Sequence, residues 1–442
     1  MRLGPETALP AAVARPTYDR AAQGVGIVHF GIGAFLRAHQ AWYTERAMDA
    51  GDRDWAICGV SLRSPDVAQQ LNPQSGLYTL TERGAAGEAS RLIGAVCEVL
   101  VAGPDHAKVL ARIAAPHCHV VMFTVTEKGY CRRADGSLDP DLAAQGFYPL
   151  LAEAMATRAE NGLPGLTLLS CDNLADNGRQ LERLMGEYLA ASRPELADWF
   201  ARECTCPSTM VDRIVPATTE ADRTALAARI GCDDQGAVFT EAFNQWVIED
   251  RFAGPRPRWE AVGAQLVTDV RPYETAKLRM LNGAHSLLAY CGLARGHTFV
   301  HEAIADPELR ALTEQLMLRE AAPTIAAAPQ QDLPGYATAL IARFANPALN
   351  HRLIQIAMDG SQKLPQRWLE TLAKNRAQGR DCPAIEAGIE AWIHHLRGGN
   401  GPVDDPRAAE LAAAAAGPDP MAALFGPQGL LPSAWRPEPA AG

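Results

Sequence analysis

The segment Glu274-Thr-Ala-Lys277-Leu-Arg-Met-Leu-Asn282-Gly-Ala-His285 places an acid, an amine, an amide and an imidazole close together in the chain. Read as an α-helix turning about 100° per residue, with Lys277 at zero, Glu274 falls at about 60°, His285 at about 80° and Asn282 at about 140°. All four then share one face. A solvent-exposed polar face has the same pattern. The chemistry this set permits is metal-free alcohol oxidation, in which an amine takes the hydroxyl proton, hydride leaves carbon for a nicotinamide, and amide N–H groups steady the alkoxide. Lys277 is the expected base. Desolvation in a closed cleft and the positive nicotinamide ring both disfavour its ammonium form, so a lowered pKa is expected. Asn173 is the expected second amide, opposite Asn282.

Such a set needs a nucleotide-binding element to work beside. Four apolar runs read as buried parallel strands separated by helix-like stretches: GIVHF ending at Phe30, WAICGV at Val60, VVMFTV at Val125 and LTLLSC at Cys171. Glycine and polar residues follow each run: Gly31 and Gly33, Ser61 and Arg63, Thr126 and Glu127, Asp172 and Asn173. In a doubly wound sheet those strand ends line the ligand crevice, so an N-terminal Rossmann-type α/β domain is expected. Gly31-Ile32-Gly33 opens AFLRAHQAWYTERAMDAG, which reads as one helix whose N-terminus favours a pyrophosphate. A tight strand-to-helix turn without a ligand has the same residues, and Leu36 stands where a third glycine usually falls. The candidate cofactor residues are Phe30, Gly31, Ile32, Gly33, Ala34, Phe35, Arg63, Thr126 and Glu127. NAD is the expected cofactor. NADP stays open, because Arg63 suits a ribose phosphate and Asp66 suits ribose hydroxyls.

With 442 residues, two domains are expected: residues 1–265 as the dinucleotide-binding domain and 266–442 as a mostly helical substrate domain, the latter from segments such as TAKLRMLNGAHSLLAYCGL and GYATALIARFA. Hydrophobic residues at 48% and charged residues at 21% describe a folded globular chain. A net charge of -10 without a Lys- or Arg-rich block excludes a nucleic-acid partner. No signal-like or membrane-spanning apolar run is present, which predicts a cytoplasmic protein with a small-molecule substrate; the oligomeric state is not legible. Ten dilute cysteines form no C-x-x-C pair, so neither a metal site nor a disulfide framework is expected. The alanine run at 408–417 reads as a packed helix, and the closing SAWRPEPAAG as loosely held.

At the lysine cluster the sequence resembles the long-chain mannitol dehydrogenase family, and the resemblance runs from residue 26 to 366. The family's K-x4-N-x2-H appears as Lys277, Asn282 and His285, its glycine-rich segment as GIGAFLRAHQAWYT, and its S-C-D-N as Ser170 to Asn173. TVTEKGYC, TMVDRIVPAT and DGSQKLP match in order and spacing. The resemblance implies a Rossmann domain followed by a helical domain, with Lys277 as general base and Asn173 and Asn282 as the oxyanion site. It also implies that His285 and Asp212 hold substrate hydroxyls and that Lys363 contacts substrate; Glu274 is taken as a further substrate contact. EAFNQWVIEDRF, KLRMLNGAHSLLAY and QIAMDGSQKLPQR look most like the branch that interconverts D-mannonate and D-fructuronate, with mannitol, arabinitol or altronate as alternative substrates. Mannitol-acting members commonly carry arginine where this chain has Gln355, and the chain is shorter at its C-terminus than usual members. Lys363, Arg352 and Arg37 are the candidate cations for a substrate carboxylate. A non-catalytic nucleotide-binding relative would be expected to lack the base or an amide, and this chain has Lys277, Asn173 and Asn282.

Overall fold

The computed structural model describes residues 1–84 and 87–431; the closing SAWRPEPAAG lies outside the described residues. The chain divides into two compact units, Met1–Val270 and a second beginning at Arg271. The first unit holds β1 (Val25–Phe30), β2 (Ala56–Ser61), β3 (Tyr78–Gly84), β4 (Gly87–Ile93), β5 (Val96–Val101), β6 (Val120–Phe123), β7 (Thr167–Ser170), β8 (Thr209–Asp212), β9 (Val238–Glu241), β10 (Gln245–Glu249) and β11 (Gln265–Val267).

The central sheet has the order β5-β2-β1-β6-β7 with every pair parallel. The chain winds outward from β1 through β2 to β5, then returns to the other side of β1 for β6 and β7. Adjacent crossovers therefore diverge between β1 and β6, which makes that place the switch point of a doubly wound sheet. Burial on both faces explains the unbroken apolar runs. Val28, Phe30, Cys58, Val60, Val121 and Phe123 pack on one side, and Ile27, Ile57, Val120 and Met122 on the other.

The four strands read from the sequence are all present, and β5 is an addition. Its VCEVLV carries Glu98 mid-run and follows β4 after only two residues, so no loop signal sets it apart. Two further three-stranded sheets, β4-β3-β9 and β11-β10-β8, complete the first unit. β8, β9 and β11 are only three or four residues long, and β3 and β4, at seven residues each, are of mixed polarity, so neither kind reads as a long apolar run.

Among its described residues the second unit is helical and has no strand. Its core is built around Gly283–Ala294 and Pro383–Leu396, with Leu287, Leu288, Trp368, Ile389 and Trp392 almost fully buried. The alanine run forms a helix, Ala408–Ala416, that packs through Leu411 and Ala415. Among the described residues no helix is long and apolar enough to cross a membrane.

One buried titratable group sits at the centre of the main sheet. His29 in β1 is fully buried, its Nδ1 bonds to the Phe30 carbonyl at 3.1 Å, and its Nε2 has no partner. Burial pushes its pKa down to about 3. An unfolded histidine takes up its proton at about pH 6.5, so between about 6.5 and 3 the unfolded chain binds the extra proton. The stability from neutral His29 is fully present above about pH 6.5 and is lost as the pH falls toward 3, by up to on the order of 4 kcal/mol. His29→Leu is expected to flatten the acid side of the Tm-against-pH curve between pH 4 and 7 in calorimetry. An unaltered slope would assign the acid sensitivity to another group.

Candidate functional site

The first unit gathers its candidate residues along the carboxyl edge of the central sheet. Gly31 leaves β1 at a φ of 91°, where a Cβ would lie 2.1 Å from the Thr124 carbonyl oxygen, so only glycine fits. Its N–H donates to the Val60 carbonyl at 2.9 Å, and Thr124 Oγ1 donates to its carbonyl at 2.6 Å. The ends of β1, β2 and β6 are thereby held together.

Gly33 caps the helix Ala34–Ala38 and has no atom within 4 Å of where a Cβ would stand. The amide of Arg37 bonds back to the Gly33 carbonyl, and the amides ahead of it lack intrahelical acceptors by position. Free N–H groups beside open space fit the pyrophosphate of a dinucleotide. The sequence predicts one helix after this turn. Instead there are two, Ala34–Ala38 and Gln40–Asp49, separated at His39, whose Nε2 bonds to the Gln245 carbonyl at 2.9 Å and whose ring stacks on Phe35. That side-chain bond and stacking outweigh one turn of helix. Phe30 meets the crevice only through its backbone, because its ring stacks on Phe123 at 5.7 Å. Ile32 is likewise buried.

Arg63 and Asp66 are both exposed just beyond β2, with Asp66 heading the helix Asp66–Leu71. Thr126 and Glu127 begin the short helix Thr126–Gly129, with Thr126 at a φ of 66°. The group that holds this strained turn is one the sequence analysis left without a role. The buried carboxylate of Asp172 accepts from the Val125 and Thr126 amides at 3.0 and 2.8 Å and from the Tyr130 hydroxyl at 2.8 Å. Burial pushes its carboxyl up and the donors oppose that shift. Asn173 follows directly and is exposed. Asn177 Nδ2 donates to the Asp172 carbonyl at 3.0 Å, and Thr209 Oγ1 donates to the Ser170 carbonyl at 2.6 Å. Through Thr209, β8 and its buried C-terminal residue Asp212 abut the end of β7.

In the second unit the lysine cluster lies on a helix that is not α throughout. Arg271–Ala276 is α, Lys277–Asn282 is π, and Gly283–Ala294 is α again. A π-turn bonds each residue to the fifth before it, so one extra residue is accommodated and Asn282 moves toward alignment with Lys277. The uniform 100° wheel is therefore corrected: the shared face exists, with Asn282 phased closer to Lys277 than an α-helix allows. Glu274, Lys277, Asn282 and His285 are all partly buried rather than solvent-facing.

The π-turn is braced from a second one, Pro365–Leu369. Arg367 Nη1 donates to the Asn282 carbonyl at 3.3 Å and Trp368 Nε1 to the Gly283 carbonyl at 3.1 Å. His285 meets Phe344 and His351 at ring-centroid distances of 4.8 and 5.3 Å. Burial, followed by His351, Arg343 and Arg367, pushes its pKa well below the usual imidazole value and keeps the ring neutral. Lys363 Nζ donates to the Met358 carbonyl at 2.5 Å and lies 3.9 Å from Asp359; burial and Arg367 push its pKa down.

The structure separates the three cations proposed for a carboxylate. Arg37 is buried, gives its guanidinium to the Gly236 and Gly33 carbonyls and lies over Tyr78, so it braces the fold. Arg352 is exposed. Lys363 is half-buried near Arg367, which bonds to the Asn282 carbonyl. Arg367, His351 and Arg343 were not singled out; the one signal for Arg367 was its place a helical turn after Lys363. Among the described residues no three His, Cys, Asp or Glu side chains converge to hold a metal ion.

The two glycines make separable predictions. Gly31→Ala forces a Cβ into backbone at a positive φ and is expected to lower stability by about 2 kcal/mol or more in chemical denaturation. Gly33→Ala meets open space and is expected to change stability by less than about 1 kcal/mol. It should nonetheless raise the Kd for NADH in fluorescence titration at least tenfold, and an unchanged Kd would move the pyrophosphate away from this turn.

Two family models match the chain: the Mannitol dehydrogenase Rossmann domain over residues 25–261 and the Mannitol dehydrogenase C-terminal domain over residues 269–424. The D-mannonate oxidoreductase of Escherichia coli K12 is 41% identical over 442 residues, covering 95% of this chain and 91% of that protein. A D-sorbitol dehydrogenase crystal structure superposes with a TM-score of 0.90 at 34% identity, covering 95% and 91% of the two chains. The Pseudomonas fluorescens mannitol 2-dehydrogenase, in a ternary complex with NAD and D-mannitol, superposes at 0.79 with 35% identity, covering 94% and 89%. With its parallel switch-point sheet and helical second unit, this chain belongs to the mannitol dehydrogenase family, an NAD(P)-dependent group of polyol and sugar-acid oxidoreductases.

Proposed function

We propose that this enzyme interconverts D-mannonate and D-fructuronate, with NAD as the preferred dinucleotide. The observation that carries the reading is the π-turned helix with Lys277, Asn282 and His285, in a chain 41% identical to a D-mannonate oxidoreductase along almost its whole length. In the oxidative direction Lys277 accepts the proton of the substrate hydroxyl, and the bound nicotinamide supplies the hydride acceptor. Asn173 and Asn282 donate amide N–H groups to the oxygen as it gains charge. His285, held neutral, hydrogen-bonds a substrate hydroxyl without adding positive charge, alongside Asp212, Glu274 and Lys363. Phe30 to Phe35, Arg63, Thr126 and Glu127 form the dinucleotide edge, the first of these through backbone groups that approach the pyrophosphate.

A second reading, oxidation of a neutral polyol such as mannitol, is favoured by the likeness to the mannitol- and sorbitol-dehydrogenase structures. The two differ in whether the substrate carries a carboxylate. Steady-state oxidation of NADH by chelator-treated enzyme with D-fructuronate and D-fructose decides between them. A higher kcat/KM for fructuronate is expected, whereas preference for fructose would make this a polyol dehydrogenase. Replacing NADH by NADPH in the same assay reports which of Asp66 and Arg63 governs the ribose.

Lys277→Ala is expected to lower kcat at least several hundred-fold while the Kd for NADH stays within about threefold. Turnover that survives the substitution would remove Lys277 from proton transfer.

A further inference from the structure

Arg367 has a property that bracing the π-turn does not require. Its Nη1 makes both of its hydrogen bonds, to the Asn282 carbonyl at 3.3 Å and to Ser286 Oγ at 2.8 Å. Ser286 follows His285 in the chain, so the guanidinium lies against the turn that carries Asn282 and His285. Both acceptors are neutral, and among the described residues no carboxylate forms an ion pair with it. Arg279, on the same helix, shows the ordinary arrangement, with Glu370 at 3.0 Å.

Arg367 has other cations near it, while the nearby carboxylates of Asp359 and Asp405 act on Lys363 and Tyr290. Lys363 lies one turn before Arg367; burial holds His285 and His351 neutral, with Arg343 adding to the effect on both and Arg367 adding to it on His285. Burial pushes Arg367 itself down to about 10. A partly buried cation with no counter-ion raises the free energy of the empty enzyme, and an arriving anion removes that cost. The rest of its planar fork of N–H donors matches a carboxylate in geometry as well as charge.

We propose that Arg367 is the specificity-determining residue that pairs with the carboxylate of a sugar-acid substrate. The proposal rests on the reading that Asn282 and His285 belong to the active site. A neutral polyol presents no counter-charge and leaves the guanidinium unpaired, so discrimination arises as much from the penalty on the wrong substrate as from contacts to the right one.

The test compares the unsubstituted enzyme with Arg367→Gln and Arg367→Lys. The ratio of kcat/KM for D-fructuronate to that for D-fructose is expected to fall about 100-fold in Arg367→Gln, chiefly through KM for fructuronate, and about tenfold in Arg367→Lys, which keeps the charge and loses the fork. Equal losses on both substrates, leaving the ratio unchanged, would show that Arg367 only positions Asn282 and would overturn the proposal. If Arg367→Gln does not fold, the lysine variant carries the same comparison. An unsubstituted enzyme that prefers fructose defeats the mannonate reading on its own. Carboxylate pairing is then decided by inhibition of fructose reduction: loss of inhibition by D-mannonate but not by D-mannitol in the variants supports it, and parallel loss, or no inhibition by mannonate at all, overturns it.

Discussion

The second unit depends on one extra residue in a helix. By widening the turn between Lys277 and Asn282, the π segment changes the phase of everything after it relative to everything before it. It thereby brings an amine, an amide and an imidazole onto one face, which a regular helix spreads over a wider arc. Such a turn is less favourable than an α-turn and persists where its backbone groups find partners outside the helix. Here Arg367 and Trp368 take the carbonyls of Asn282 and Gly283, and Trp368 is itself locked in the core. Core packing, backbone satisfaction and the placement of polar side chains are thus parts of one arrangement.

The first unit solves a similar problem with a buried carboxylate. Loops at the carboxyl ends of parallel strands must be irregular to leave a crevice, and irregular backbone needs partners in place of a ladder. Asp172 supplies them for Val125 and Thr126, while the Tyr130 hydroxyl and the Asn177 amide fix Asp172 in turn. Its desolvation is offset by three donors on the carboxylate oxygens, so a costly buried charge becomes a positioning device. Asn173, the next residue, inherits a backbone held on both sides.

Charge distributes differently between surface and site. Many arginines are paired on the surface, as Arg295 is with Asp306 and Glu308, and such pairs contribute little to stability. Around His285 burial is the main reason that the imidazoles stay neutral, and Arg343 and Arg367 reinforce it.

Much of this was legible in the amino-acid order. Apolar runs of strand length followed by glycine or polar residues marked β1, β2, β6 and β7, because a strand buried on both faces has no room for polarity until it ends. The clustering of Glu274, Lys277, Asn282 and His285 was visible because neighbours on one helix stay neighbours whatever the helix packs against. Tertiary structure decided the rest. Which turn of that helix is π depends on partners about 85 residues away in Arg367 and Trp368, and no local periodicity encodes them. Whether Arg37 meets solvent, ligand or a distant carbonyl was set by Gly236, far along the chain, which turned a candidate ligand-binding cation into a brace. Asp172 looked like any polar residue after a strand until the fold brought the Val125 and Thr126 amides to it. Local pattern reports what a segment buries, but the partners that satisfy its polar groups come from segments remote in sequence, and only folding selects them.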